Sequence, residues 1–356
     1  MKNIVSVKRE SSIELLRVIS MLLIICHHFV CFRYKSFGSL GLVTLNNFMM
    51  SFFWNGGKYG VVLFSLITGY FMINSKVSLK KIIKLELQIL FYTISIMLLF
   101  VILKGRVVTE REIELFFSPA LEKTYWFYTS YLMLNLFIPI INFILLKLNK
   151  KQFIVLLGIL FCLFVGVPTM FIHLNFFKEG IYLFFYYIVG AFIRLYMDNR
   201  KEKKLFLVGG IVFYLFIIFS TFGVQYLSKF NSILLGNMYY FTKISSALVF
   251  MSAVCLFMFF KNIKLKESKF INWLGSVSFG VYLFHEHPYM RNFLWFELFD
   301  VNLYTNTIFF GVKGICIVCA IFIVGGLYET VRQFLFKLIS NMYLKGKKYL
   351  LSTDVD

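Results

Sequence analysis

Long apolar runs separated by short polar segments dominate the chain. Ten of these runs approach the roughly 20 residues that an α-helix needs to cross a bilayer. They cover residues 13–33, 58–73, 82–103, 125–146, 152–172, 179–197, 205–223, 237–260, 274–296 and 304–327. Because lipid offers the backbone no hydrogen-bond partner, each run predicts a helix. The pattern therefore predicts an all-α, polytopic integral membrane protein with about ten transmembrane helices.

Basic residues are distributed unevenly between the two sides of the predicted spans. Of 37 Lys and Arg, 24 fall in the termini and in the alternate loops 74–84, 147–151, 194–204 and 261–269, whereas nine fall in the loops on the other side. The positive-inside rule places the richer side and both termini in the cytoplasm. Topology and contact with anionic membrane lipid therefore explain the net charge of +20, and no nucleic-acid partner is predicted.

The chain shows no polar linker and no internal repeat, which predicts one transmembrane domain over residues 1–330. Basic residues among Phe and Leu in residues 331–356 predict a cytoplasmic amphipathic tail on the membrane surface. The mixed charges of segment 104–124 predict a short surface helix or lid on the outer side.

The first apolar run carries polar side chains at both ends, in the segment ELLRVISMLLIICHHF (residues 14–29). On an α-helix, the step from Arg17 to His28 comes to within about 20° of three full turns, so both side chains share one face about 16 Å apart. Glu14 precedes Arg17 by one helical turn and can pair with it from the same side. His27 points about 80° away. Because a charge inside a span is costly, Arg17 and His28 are candidate functional residues.

The ninth run, SFGVYLFHEHPYMR (residues 278–291), contains a second set of hydroxyl and ionisable side chains: Ser278, Tyr282, His285, Glu286 and His287. The first three members of this set follow an i, i+4, i+7 spacing and share a helical face. Pro288 interrupts the backbone hydrogen bonding directly after the set. Since the first and ninth runs both cross outward, His28 and His285 are expected at similar depth, where they could line one polar chamber.

Two other roles compete for these histidines. Helices in membrane bundles use His, Ser and Tyr as interhelical hydrogen-bonding groups, which would make them structural. A metal site could combine His28 with His285 and His287. On a regular helix, however, residues i and i+2 point about 160° apart, so both reach one ion only if Pro288 unwinds the turn. No metal is predicted.

Four segments resemble the membrane-bound acyltransferase 3 family, and in particular its O-acetyltransferases of surface polysaccharides. The first run is similar to the family's opening signature, matched by Glu14, Leu16, Arg17 and His28. GVVLFSLITGYFM (60–72), YWFYTSYLMLNLFIPIIN (125–142) and SFGVYLFHEHPYMRNFLW (278–295) resemble three further motifs in the family's order. The chain departs from the pattern at Val62, where members often carry Asp or Asn, and at Thr68, which replaces a usual Ser.

The resemblance implies transfer of an acyl group, usually acetyl, from cytoplasmic acyl-CoA to a hydroxyl of a surface glycan or lipid-linked sugar. His28 is expected to be the general base, or a residue that carries the acyl group briefly. Arg17, oriented by Glu14, is expected to hold the donor's phosphate or carbonyl. Cytoplasmic lysines take the place of the family's arginines and would attract the CoA phosphates: Lys80, Lys81 and Lys84.

The resemblance also implies a multi-pass protein of the bacterial cytoplasmic membrane, in a capsule or exopolysaccharide pathway. An alternative of another class is a transporter or flippase for a polysaccharide or lipid-linked sugar, in which buried charges and ten spans are equally natural. The registry of Arg17 with His28, and the absence of two halves with matching interrupted helices, favour the acyltransferase. A purely structural membrane partner would leave the buried ionisable groups unexplained.

Overall fold

The computed structural model describes residues 10–32, 44–75, 78–171, 174, 177–197, 202–303 and 307–353, excluding the side chains of 232, 235 and 344–353. Within these ranges every regular element is helical. The α-helices are α1 (Ser11–Cys31), α2 (Leu45–Met72), α3 (Leu79–Lys104), α4 (Glu110–Phe117), α5 (Trp126–Leu145), α6 (Lys150–Phe161), α7 (Val167–Met170), α8 (Glu179–Tyr196), α9 (Lys203–Leu227), α10 (Ala247–Asn262), α11 (Lys269–Glu286), α12 (Pro288–Asn292) and α13 (Phe310–Thr353). Shorter 3₁₀ or π segments are Cys162–Gly166, Ser232–Asn237, Tyr240–Thr242, Phe293–Leu298 and Val301–Leu303.

Seven helical segments among the described residues are long and apolar enough to cross a membrane: Ser11–Cys31, Leu79–Lys104, Trp126–Leu145, Lys150–Met170, Lys203–Leu227, Tyr240–Asn262 and Phe310–Tyr343. The prediction of an all-α polytopic membrane protein is thereby confirmed. The count of ten spans and the orientation of the termini stay predictions.

The predicted second span differs from the structure at its start. The apolar pattern predicts a start at residue 58, but α2 begins at Leu45 and carries Asn55 and Lys58 within the helix. Thr44 caps this helix by accepting a hydrogen bond from the backbone N–H of Asn47. Asn55 is 3% exposed. Because much of α2 faces protein and not lipid, polar residues lower its hydropathy without shortening the helix.

Helix α2 packs closely against α1 and α8 through glycines. A Cβ atom at Gly69 would overlap the carbonyl oxygen of Tyr187, and one at Gly190 would overlap that of Leu66. Small residues at such positions allow two membrane helices to approach backbone to backbone. A Cβ atom at Gly56 would likewise overlap the carbonyl oxygen of Leu23 in α1, so α2 is an inner helix between α1 and α8.

Helix α11 ends at Glu286, directly before the predicted break at Pro288. His287 lies between α11 and α12 with ψ 132°, outside the helical region. Pro288 then starts α12, where its fixed φ and missing N–H are tolerated. The break is therefore confirmed, and it places His285 and Glu286 in the last turn of α11.

The charged segment 104–124 forms the predicted short helix, α4. Gly105 ends α3 at φ 61°, a conformation that glycine adopts readily. Thr109 and Glu112 form a capping box at the start of α4. Phe116 anchors the helix by stacking on the ring of His287, 4.9 Å between centroids.

The last helix, α13, is continuous from Phe310 to Thr353. It passes through the predicted domain boundary at residue 330 without a break, and the division there stays a prediction. Arg332, assigned to the surface tail, is 4% exposed and packs inside the bundle. This part of the predicted tail therefore belongs to the protein interior.

Candidate functional site

The structure brings together His28 of α1 with His285 and Glu286 of α11. Nδ1 of His28 lies 3.0 Å from Nε2 of His285 and 3.3 Å from Oε1 of Glu286. The longer contact is an ion-pair distance without good hydrogen-bond geometry, and Oε1 otherwise has no partner in the described part of the chain. All three residues are at most 9% exposed.

The hydrogen bonds around His285 assign the protons on both imidazoles. Nδ1 of His285 lies 2.6 Å from the carbonyl oxygen of Val281, and a carbonyl only accepts, so this nitrogen carries the proton. Nε2 of His285 is then an acceptor, which requires His28 to donate from Nδ1. His28 consequently has its lone pair on Nε2, to which no described residue makes a hydrogen bond. A neutral imidazole held in this way can accept a proton at Nε2.

Of two further members of the predicted α11 set, Tyr282 packs against this site and Ser278 does not contact it. The ring of Tyr282 lies 6.1 Å from that of His285 and 5.4 Å from that of Phe127. Its hydroxyl lies near the first backbone amides of α5 but makes no hydrogen bond of good geometry. Ser278 is fully buried and donates to the carbonyl oxygen of Leu274, so its hydroxyl is used within the helix.

His287 lies apart from this site. Its Nδ1 accepts a hydrogen bond from the N–H of Tyr289 at 3.1 Å, and its Nε2 donates to the carbonyl oxygen of Thr93 at 3.2 Å. Both ring nitrogens are thus engaged in joining α11, α12 and α3. This arrangement makes His287 a structural residue at the Pro288 break.

His27 faces α2, although its ring centroid lies 5.6 Å from that of His28. Its Nδ1 donates to the carbonyl oxygen of Trp54 at 2.6 Å, and its ring packs edge-on to the indole at 5.2 Å. The two adjacent histidines therefore face different helices, as their angular separation on α1 requires. Only His28 contacts the α11 site.

At the other end of α1, Arg17 and Glu14 form the expected ion pair. Nη1 of Arg17 lies 2.7 Å from Oε2 of Glu14, which is 3% exposed. A Cβ atom at Gly275 of α11 would overlap this carboxylate oxygen. The glycine therefore lets Glu14 lie between α1 and α11, where it orients the guanidinium.

Arg17 lines a cavity of about 970 Å³, near the upper end of the ~300–1,000 Å³ typical of small-molecule sites. The charged residues that line it are Arg17, Lys84, Glu329, Arg332 and Lys337. Its aromatic lining residues include Phe64, Phe127, Tyr131 and Phe279. Of the three lysines predicted to attract the CoA phosphates, only Lys84 lines this cavity. Lys80 and Lys81 do not, and Nζ of Lys81 donates to Ser75.

Sequence reasoning missed Glu329 and Arg332 of α13, which are 1% and 4% exposed. The missed signal was an acid and an arginine one helical turn apart, directly after an apolar run. Tyr92 of α3, also unpredicted, donates its hydroxyl hydrogen to Oε2 of Glu329 at 2.8 Å. Assigning residues 331–356 to a surface tail separated Arg332 from Glu329 and so concealed this buried pair.

A metal ion is chemically possible at the α11 site. One ligand atom each from His28, His285 and Glu286 lies within 4.8 Å of the other two. Nitrogen and carboxylate ligands of this kind suit Zn²⁺. The hydrogen bond between the two imidazoles uses the same nitrogens, so an ion there would replace it. His287 contributes nothing to this group, since both its ring nitrogens are engaged elsewhere.

Two groups of polar side chains lie at opposite ends of α1. A proton-accepting imidazole lies near one end of α1, and a cationic cavity lies at the other. A model of the acyltransferase 3 family, described as an acyltransferase domain, matches residues 10–326 of the chain. No protein among the curated sequences matches the chain, and no solved structure does.

Proposed function

This chain belongs to the acyltransferase 3 family, and on that premise we propose that it is a membrane O-acyltransferase. The acyl group, acetyl in the first instance, moves from cytoplasmic acyl-CoA to a hydroxyl of a surface glycan or lipid-linked sugar. The observation that carries the proposal is the unpaired Nε2 of His28, which the His285 hydrogen bond leaves as a proton acceptor. We assign the protein to the bacterial cytoplasmic membrane, with its acceptor at the outer side.

In this proposal His28 is the general base. The acceptor hydroxyl gives its proton to Nε2 of His28 while its oxygen attacks the thioester carbonyl carbon. The carbon–sulfur bond then breaks, CoA leaves as the thiolate, and the proton on His28 passes to the thiolate sulfur. A positioned base of this kind contributes roughly 10²–10⁴ in rate.

His285 and Glu286 support the protonated state of His28. When Nε2 gains a proton, the imidazolium still donates from Nδ1 to His285, so the ring keeps its orientation. The Glu286 carboxylate at 3.3 Å offers a negative charge to the same nitrogen. The positive charge is thus balanced in a buried place where water cannot do so.

The donor fits the cavity at the opposite end of α1. CoA carries its phosphates and its thiol at the two ends of a long arm, which suits cations and a base about 16 Å apart on one helix face. Arg17 and Lys84 provide positive charge for the phosphates. Phe127 connects the two regions, since it lines the cavity and its ring lies 5.4 Å from Tyr282 beside His285.

The test compares wild-type protein in membrane vesicles with vesicles lacking it, using acyl-CoA labelled in the acyl group. Transfer of label to extracted surface glycan or glycolipid, lost on mild alkaline hydrolysis, is the expected result for an O-ester. Ester analysis of the surface glycan in cells with and without the protein identifies the acceptor. Export of unmodified glycan without transfer of label would favour the transporter.

A further inference from the structure

The buried pair Glu329–Arg332 on α13 has a defined geometry. Nε and Nη2 of Arg332 lie 2.8 and 2.6 Å from the two carboxylate oxygens of Glu329, which is a bidentate ion pair. This pairing uses one edge of the planar guanidinium. Nη1, on the other edge, is buried and has no hydrogen-bond partner among the described residues.

Glu329 is held firmly enough to fix the guanidinium. Besides Arg332, its carboxylate accepts hydrogen bonds from the Tyr92 hydroxyl at 2.8 Å, from Gln333 at 2.9 Å and from Gln88 at 3.3 Å. A carboxylate with this many donors has little freedom to move. The network therefore positions Arg332 without satisfying its Nη1.

An unsatisfied buried N–H group of a cation is costly, and native proteins rarely retain one without a reason. Arg332 lines the 970 Å³ cavity, so an anionic group entering the cavity is the available acceptor. Lys84 and Lys337 line the same cavity, and no ion pair joins either lysine to a described residue. Because Glu14 and Glu329 already neutralise Arg17 and Arg332, these two lysines leave the cavity with excess positive charge.

We propose that Nη1 of Arg332, together with Lys84 and Lys337, binds a phosphate group in this cavity. Arginine and lysine around one pocket match the charge and the acceptor oxygens of a phosphate. Arg332 lies on α13 beyond residue 326, where the match to the family model ends. The inference rests on the proposed function only in naming the source, which is the nucleotide end of acyl-CoA. The other source of the same chemistry is an anionic phospholipid headgroup.

The experiment uses the full-length protein in nanodiscs of phosphatidylcholine, with CoA and 3′-dephospho-CoA as probes. Arg332→Gln should raise the Kd for CoA by roughly 10- to 100-fold, the loss expected for a buried charge-assisted hydrogen bond. Lys147→Gln is the matched control, because it removes one positive charge outside the cavity and should leave the Kd unchanged. The difference in affinity between the two probes shows whether the phosphate concerned is the 3′ group.

Two further variants distinguish a loss of CoA binding from a loss of folding. Glu329→Gln with Arg332→Gln removes both charges, so no unpaired carboxylate is left buried, and it should lose CoA affinity like the single variant. Arg332→Lys keeps the charge but lacks Nη1 and the planar fork, and an intermediate loss is expected. Thermal unfolding of each variant without CoA reports whether the fold survives.

A second arm distinguishes the source of the phosphate. The unfolding temperature is compared in nanodiscs of phosphatidylcholine alone and with added phosphatidylglycerol. If Arg332→Gln removes stabilisation by phosphatidylglycerol and leaves CoA binding intact, the site binds a lipid headgroup. If folded Arg332 variants keep both properties at wild-type level, or if the wild type shows neither, the phosphate site is disproved. The proposed function fails separately, when wild-type protein transfers no label from acyl-CoA.

Discussion

Nδ1 of His28 and Nε2 of His285 lie 3.0 Å apart, although 257 positions separate them in the sequence. This contact joins the first helix to the last turn of α11 by side chains that lie 9% and 0% exposed. Because the partner of His285 on its other side is a backbone carbonyl, the direction of the bond between the imidazoles is fixed. The contact thus decides which nitrogen of His28 is available for chemistry.

His28→Ala should abolish acyl transfer, with a loss of roughly 10²–10⁴ in kcat or more, because it removes the proton acceptor. His27→Ala is the matched control, since the neighbouring imidazole faces Trp54 and not His285. It should keep most of the activity. The measurement is transfer of label from acyl-CoA, normalised to the amount of inserted protein. Wild-type rates in His28→Ala would disprove the assignment of the base, and wild-type rates in the His27→Ala, His28→Ala double variant would place the base outside α1.

His285→Ala should lower kcat by roughly 10- to 100-fold with little change in the KM for acyl-CoA, because His28 loses its orienting partner and not its own imidazole. His287→Ala should behave differently. It removes two hydrogen bonds at the helix break, so stability should fall by about 1–3 kcal/mol while the folded protein keeps its kcat. Kinetics and thermal unfolding on the same preparations separate the two effects. Equal losses of kcat in both variants would contradict this assignment.

Gly275→Ala should weaken donor binding, because its Cβ displaces the Glu14 carboxylate that orients Arg17. The expected result is a raised KM for acyl-CoA together with a destabilisation of about 1–3 kcal/mol from overpacking. Gly158→Ala on α6 is the control, because a Cβ there meets nothing within 4 Å. Arg17→Lys should raise KM in the same way without the destabilisation, since it keeps the charge and loses the fork. An unchanged KM for acyl-CoA in both Gly275→Ala and Arg17→Lys would show that Arg17 does not bind the donor.

Added Zn²⁺ should inhibit the enzyme reversibly, because His28, His285 and Glu286 can ligate it through the nitrogens that form the catalytic hydrogen bond. A chelator should restore the rate and should have no effect on protein that has not been treated with zinc. His285→Gln should reduce the sensitivity to zinc, which locates the inhibitory ion. Loss of activity on chelation of untreated protein, with recovery on zinc addition, would instead identify a metalloenzyme.

The sequence predicted most of what one helix determines by itself. The alignment of Glu14, Arg17 and His28 follows from helical geometry, and α1 is a regular helix through all three. The different directions of His27 and His28 follow for the same reason. Contacts between helices could not be predicted in this way, because hydropathy does not encode which spans touch. The pairing of His28 with His285, and the diversion of His287 to Thr93, required the structure.

The largest errors arose where burial in protein replaces contact with lipid. Asn55 and Lys58 interrupt the apolar pattern of α2, yet the helix extends past them to Leu45 because its neighbours are other helices. Glu329 and Arg332 look like the start of a surface tail, yet they form an ion pair inside the bundle. In both cases a polar residue was interpreted as a membrane boundary when it faced a protein partner.

On the side away from His28, His285 donates its Nδ1 hydrogen to the carbonyl oxygen of Val281. A carbonyl oxygen holds no exchangeable proton that it could pass on. Between Arg17 and His28, this face of α1 carries Met21 and Ile24, which are 1% and 4% exposed. Neither side chain can relay a proton. In the proposed mechanism, the proton that His28 takes from the acceptor therefore stays on its imidazole until the CoA thiolate removes it, because neither Val281 nor this face of α1 passes it on.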